Sequence, residues 1–177
     1  MRQMMRASFV FVCAALVATP ALAQKADVKA EVMGDWAAMK TSMVKITAEM
    51  PEDKFGYKST PVQRSYGEHA LHVAGANLNF LKNLGGKTPA PAVDLKATSK
   101  AAIIAALEAS FDYGTAVLNE QTADSMLEQV KVPPFMGGMS SRARVANFLI
   151  GHAWDTYGQM VVYLRLNGHV PPASQRP

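Results

Sequence analysis

Between Val32 and Met50 the apolar residues Val32, Trp36, Met39, Met43, Ile46 and Met50 recur in steps of four and three, the spacing of one helix face. Pro51 closes that run, because proline brings no N–H and clashes with the preceding turn. A second helical pattern opens at Thr60 and Pro61, a cap followed by a first-turn proline. It continues through Val62, Tyr66, His69, Val73, Ala76 and Phe80 and stops at Gly85 and Gly86. The proline-rich stretch 85–99 reads as a connection. A third helix starts near Ser99 and carries Ile103, Ile104, Leu107, Phe111 and Leu118. Residues 125–141 read as irregular or partly helical, with Pro133, Pro134, Gly137 and Gly138 as breakers. A fourth helix runs from Ser140 or Ser141 to Asn167, with Gly168 placed to end it. No alternating segment is long enough to read as a strand. The pattern predicts an all-α fold, most economically an antiparallel four-helix bundle with long connections.

One seam breaks the apolar rule. On the fourth helix, Val145, Phe148, His152, Asp155, Gln159, Val162 and Leu166 step by three and four, apolar at the ends and polar in the middle. A core-facing stripe must satisfy its polar groups, since each one left unpaired costs about 1 to 3 kcal/mol. The comparable cluster lies on the second helix, where Glu68, His69, His72 and Asn77 sit among apolar residues. His69 belongs to the seam, and His72 lies about 60° around the helix at ~100° per residue. Histidines from one helix facing a histidine and an aspartate from another are the donor types that divalent transition metals take, with a position left open for water or substrate. The alternative is a set of core histidines, hydrogen-bonded to a tyrosine or carboxylate and holding nothing. Both readings stand at this level.

The amino end changes the picture of where such a site works. Residues 1–23 carry Arg2 and Arg6, an apolar run from Phe9 to Ala18, Pro20 and the triplet Ala21, Leu22, Ala23, the order of a secretory signal peptide cleaved before Gln24. That run is short of the ~20 apolar residues a membrane span needs. Of 177 residues, 154 remain as residues 24–177, enough for one domain with its own core and with no second hydrophobic segment. The expected location is periplasmic or secreted, with no membrane attachment after cleavage. The one cysteine, Cys13, leaves with the signal, so packing alone holds the mature chain and its own thiolate chemistry is excluded. Losing Arg2 and Arg6 lowers the formal charge from +4 to +2, too little to argue for nucleic acid as a partner.

At this point the residues carry a resemblance. "SYGEHALHVAGAN", followed at distance by "GHAWDTYGQMVVYLRLNGHVPPAS", resembles the DinB superfamily of DinB/YfiT-like metalloenzymes over nearly all of the mature chain. The carboxyl-terminal motif is specific: Tyr157, Gly158 and Gln159, then Tyr163, Leu164 and Arg165, and Gly168 before Pro171 and Pro172. The resemblance implies a four-helix bundle holding a divalent metal, zinc or nickel, through three histidines, one from the second helix and two from the fourth spaced four apart. It assigns His72 and His152 as two of the ligands. The third position is occupied by Thr156, a poor ligand for either metal, so one of three protein donors is missing. Asp155 is the candidate replacement, giving the two-histidine, one-carboxylate set that suits iron or manganese. His69 is a weaker candidate, and Glu68 another. Otherwise the site has lost its metal and kept its shape.

By the same resemblance, the reaction is that of a metal-dependent transferase acting on low-molecular-weight thiols, or a hydrolase using a metal-activated water. Thiol cofactors are scarce outside the cytosol, which weakens the first. The alternative is a metal-free helical bundle that binds a small ligand or serves a structural or interaction role. Its partner would be an unknown small molecule, and a homodimer is the resemblance's default. Eight of eleven methionines remain after the signal leaves; those on the first helix suit core packing, whereas Phe135, Met136 and Met139, set among breakers, suit the mouth of the histidine site, a ligand contact or a dimer interface. Trp36 and Trp154 read as packing residues, and Arg142 and Arg144 as solvated.

Overall fold

The computed structural model describes residues 26–175; the expected signal peptide, residues 1–23, lies outside them. Helix α1, Val28–Glu49, is capped by Asp27, whose carboxylate accepts from the N–H groups of Lys29 and Ala30. Helix α2, Tyr66–Leu81, runs on through a 3-10 turn to Leu84, where Gly85 takes a left-handed φ of 75°. Helix α3 is Lys100–Asn119, capped by Ser99 as the sequence predicts. Helix α5, Arg142–Leu166, is capped by Ser141 and followed by Gly168 with φ 78°. Between α3 and α5 lie a short helix α4, Ala123–Leu127, and two strands, β1, Gln129–Lys131, and β2, Met139–Ser141.

The protein is thus mostly helical, and the all-α expectation is corrected by one antiparallel hairpin, with Gln129 opposite Ser141 and Lys131 opposite Met139. Three residues per strand are too few to write an alternating pattern. Its turn uses Gly137 and Gly138 at φ 96° and 77°, a conformation that costs other residues dearly. The start of α2 is a second correction. Thr60 and Pro61 lie in a turn and Val62 is 93% exposed. The helix starts at Ser65 because Ser65 and Glu68 form a reciprocal capping box, which satisfies two N–H groups where the earlier threonine would satisfy one.

Helices α3 and α5 each pack against both α1 and α2. The α1 face read from the sequence is buried throughout: Val32, Trp36, Met39, Met43, Ile46 and Met50 all lie in the core. Tyr66 of α2 is wholly buried and donates its hydroxyl to the Ile46 carbonyl of α1. Helix α3 is long and apolar enough to span a bilayer, contrary to the expectation of no second such segment. Here its apolar side, with Ile103, Leu107, Phe111 and Leu118, belongs to the core.

The seam of α5 is rotated from the predicted one. Its core side is Val145, Leu149, Ala153, Thr156, Met160 and Tyr163, whereas Asp155, Val162 and Leu166 are exposed. Two parallel stripes of the same period run along this helix. The true one contains alanines and a threonine, whose weak apolar signal let the neighbouring stripe stand out. Trp154, expected to pack, is 48% exposed, its ring edge-on to Tyr157.

Arg142 and Arg144 are not solvated ornaments. Arg142 donates to the Leu84 carbonyl at 2.8 Å and the Ser125 carbonyl at 2.9 Å, and pairs with Glu128 at 2.6 Å. Arg144 donates to the Met136 carbonyl and the Ser140 hydroxyl. Together they fasten the hairpin to α2, α4 and α5. Replacing Arg142 with alanine is expected to cost about 2 kcal/mol, the scale of hydrogen bonds made by a charged donor. Amide hydrogen exchange should quicken over residues 123–141 and not over α1; unchanged exchange there would remove the fastening role.

Candidate functional site

His72 and His152 meet, as the spacing implied. Their ring centroids are 4.7 Å apart with the planes at 76°, and Phe148, one turn before His152, lies parallel to the His152 ring at 6.2 Å. Both imidazoles border a pocket of about 920 Å³ between α2 and α5, within the range that takes a drug-sized molecule. Phe80, Phe135 and Phe148 form one wall, each pair 5.4 to 6.1 Å between centroids, and Leu71 and Leu95 also line the space. Lys58, Arg64 and Glu68 supply its charges. The breaker-rich segment serves the pocket as one of the sequence expectations had it. Phe135, 69% exposed, is part of the lining, while Met136 turns into the core and Met139 faces solvent.

None of the remaining candidates joins His72 and His152 as a third donor. His69 is 1% exposed, with its ring edge-on to Tyr163 at 5.0 Å, and it does not line the pocket. Asp155 is exposed and accepts a hydrogen bond from Gln159 Nε2 at 3.0 Å. Glu68 is occupied by the α2 cap and by Lys58 at 3.6 Å. Thr156 is buried, and its hydroxyl donates to the His152 carbonyl one turn back, at 3.1 Å. Among the described residues no three His, Cys, Asp or Glu side chains come together as a metal-holding group. Two imidazoles therefore fit a metal, and the third protein donor does not: the hydroxyl at the expected position is committed to its own helix. A three-histidine centre does not fit these residues.

Burial pushes all three histidines below the ordinary imidazole range. His69 falls to about 4, first through loss of water and then through the Arg64 and His72 charges, with Glu68 and Asp155 opposing. His72 is lowered by burial, by Arg64 and by His152, and His152 by burial and by Arg64 against Asp155. All three are neutral at pH 7. Nε2 of His69 and Nε2 of His152 are both shut from solvent with no hydrogen-bond partner. An unpaired buried imidazole nitrogen costs free energy, so the site is held together by its surroundings rather than by these atoms.

The DinB family model matches residues 23–177. The chain belongs to the DinB family. The fold is shared with a DinB-like protein from Bacillus cereus ATCC 10987, at 20% identity and a TM-score of 0.69 over 80% of this chain and 93% of that one. A DinB-like protein of Bacillus subtilis, YjoA, is similar at 15% identity and a TM-score of 0.62, covering 82% of this chain and 99% of its own. No curated protein matches the chain. The DinB family resemblance drawn from the two histidine-bearing segments is thereby established. What the family's members do with their histidines is a separate matter, decided for this chain by its own donors.

Proposed function

We propose that this DinB-family protein binds a small, largely apolar molecule in the pocket between α2 and α5, in the periplasm or outside the cell. The four long helices would serve as an antiparallel four-helix bundle, the rigid frame for that pocket. The observation that carries the reading is the wall of Phe80, Phe135 and Phe148 standing beside two neutral imidazoles. Apolar walls with a few convergent polar groups are the usual composition of small-molecule sites. Burying an aromatic ligand against three rings removes apolar surface from water on both partners.

A second reading, a metal-dependent transferase or hydrolase, is supported by the closeness of His72 and His152 and by the unpartnered His152 Nε2. It requires a donor that Thr156 does not supply. The two readings separate in one experiment on the purified protein prepared without a histidine tag. The neutral fluorescent probe N-phenyl-1-naphthylamine is titrated in, and zinc, nickel, manganese and iron are titrated separately with bound metal counted by elemental analysis. The expected result is one probe per chain, weakened about tenfold, or about 1.4 kcal/mol, by Phe135→Ala, with no stoichiometric metal. Phe135 is exposed, so its loss leaves the core intact. Stoichiometric metal that His152→Ala abolishes, with no probe binding, would overturn the proposal in favour of the metalloenzyme.

A further inference from the structure

We propose that the pocket's ligand is an amphiphilic carboxylate, its acid group held by Arg64 and its apolar body laid along Phe80, Phe135 and Phe148. The inference rests on the small-molecule reading above and adds the ligand's chemical class. It follows from a count of charges around the pocket. Three charged side chains line it, Lys58, Arg64 and Glu68. The Glu68 carboxylate already accepts from the Ser65 N–H at 2.6 Å and lies 3.6 Å from Lys58 Nζ, so that acid and that base offset one another. Among the described residues the Arg64 guanidinium has neither an ion pair nor a side-chain hydrogen bond, although the Tyr163 hydroxyl donates to the Arg64 carbonyl at 2.7 Å and ties its backbone to α5.

No other group cancels that charge from inside the pocket. An imidazole carries no negative charge in either of its forms, and Asp155, the nearby acid of α5, lies outside the lining and is bound by Gln159. A single cation without an ion pair, exposed at the amino end of α2, lines the same pocket as the aromatic wall nearer the other end of that helix. A guanidinium suits a carboxylate, because its fork of N–H donors matches two oxygens and both partners are charged. One cation balances a monoanion and not a phosphate dianion. A neutral molecule would gain nothing from Arg64, which is exposed and keeps its water, and a cationic amphiphile would be repelled.

The test is displacement of bound N-phenyl-1-naphthylamine at pH 7.5 by decanoate, decan-1-ol and decyltrimethylammonium, which share one chain length and differ in head charge. Decanoate is expected to displace the probe at about one tenth of the decanol concentration, and the ammonium compound to be the weakest. Arg64→Gln should bring the preference for decanoate over decanol down to about twofold or less, while Arg165→Gln, which removes the same charge from the exposed side of α5, keeps it. Equal displacement by decanoate and decanol, or a decanoate preference that survives Arg64→Gln, overturns the carboxylate assignment and leaves probe binding standing. Absence of probe binding to the unaltered protein fails the small-molecule reading and this inference with it.

Discussion

Replacing Gly114 with alanine is expected to destabilise the protein by about 3 kcal/mol, even though alanine is the better helix former by ~1 kcal/mol. Gly114 lies in α3 against the indole of α1. A Cβ built there would stand 2.6 Å from Trp36 Cε2, closer still to Cζ2, and 3.0 Å from Leu81 Cδ1. The indole has no easy escape. Trp36 is 1% exposed, its Nε1 donates to the Phe111 carbonyl at 3.0 Å, and its ring packs 5.0 Å from that of Phe111. Relieving the overlap means breaking that hydrogen bond or parting α1 from α3, and both outweigh the propensity gain. Thermal unfolding should drop by about 6 to 12 °C, taking ~2 to 4 °C per kcal/mol for a chain of this size. Gly34, on the exposed side of α1 with nothing within 4 Å of a built Cβ, provides the contrast: there alanine should stabilise by about 0.5 to 1 kcal/mol. Equal and small effects at both positions would show that the α1 to α3 contact is slack.

The second large effect is a loss of stability in mild acid. His69 is buried with Nε2 unpartnered, and its pKa is pushed down to about 4 from 6.5. The unfolded chain therefore takes up the proton between pH 6.5 and 4 while the folded chain does not. Stability is full above pH 6.5 and falls as pH drops toward 4, by up to about 3 kcal/mol from this residue. His72 and His152 are shifted in the same direction and add to the slope. Urea unfolding at pH 7.5, 6.0 and 5.0 should record a steady decline. Replacing His69 with phenylalanine should flatten a large part of it and cost little at pH 7.5, because exchanging an unpaired buried polar group for an apolar one of similar shape is nearly neutral. A slope unchanged in that variant would mean that the proton is taken up elsewhere.

The sequence made the helices legible where large apolar residues wrote the period. Every position read on α1 is buried, because six bulky side chains leave one choice of face. On α5 the reading failed by a fraction of a turn. Val162 and Leu166 are apolar and exposed, while Ala146, Ala153 and Thr156 are nearly silent in hydrophobicity and buried. The His72 to His152 meeting survived that error because His152 flanks the true seam. The Phe135 edge of the pocket could be suspected from its breakers, but its placement depends on two left-handed glycines and on arginine bonds to distant carbonyls, which no local pattern encodes. Arg64 was missed outright. Only the pairing of its neighbours Lys58 and Glu68 makes it stand out, and such pairing is visible in space alone.

The packing of α1 against α5 fixes an order of events during synthesis. The apolar face of the first helix packs against α5, residues 142–166, as well as against α3, and α5 is made after all the other long helices. Helices α1, α2 and α3 leave the ribosome well before that cover exists, at the ~5 to 20 residues per second of translation. Until α5 arrives the earlier helices can associate but cannot close the core. A chain built in this way cannot complete its core until α5 is free to dock on α1.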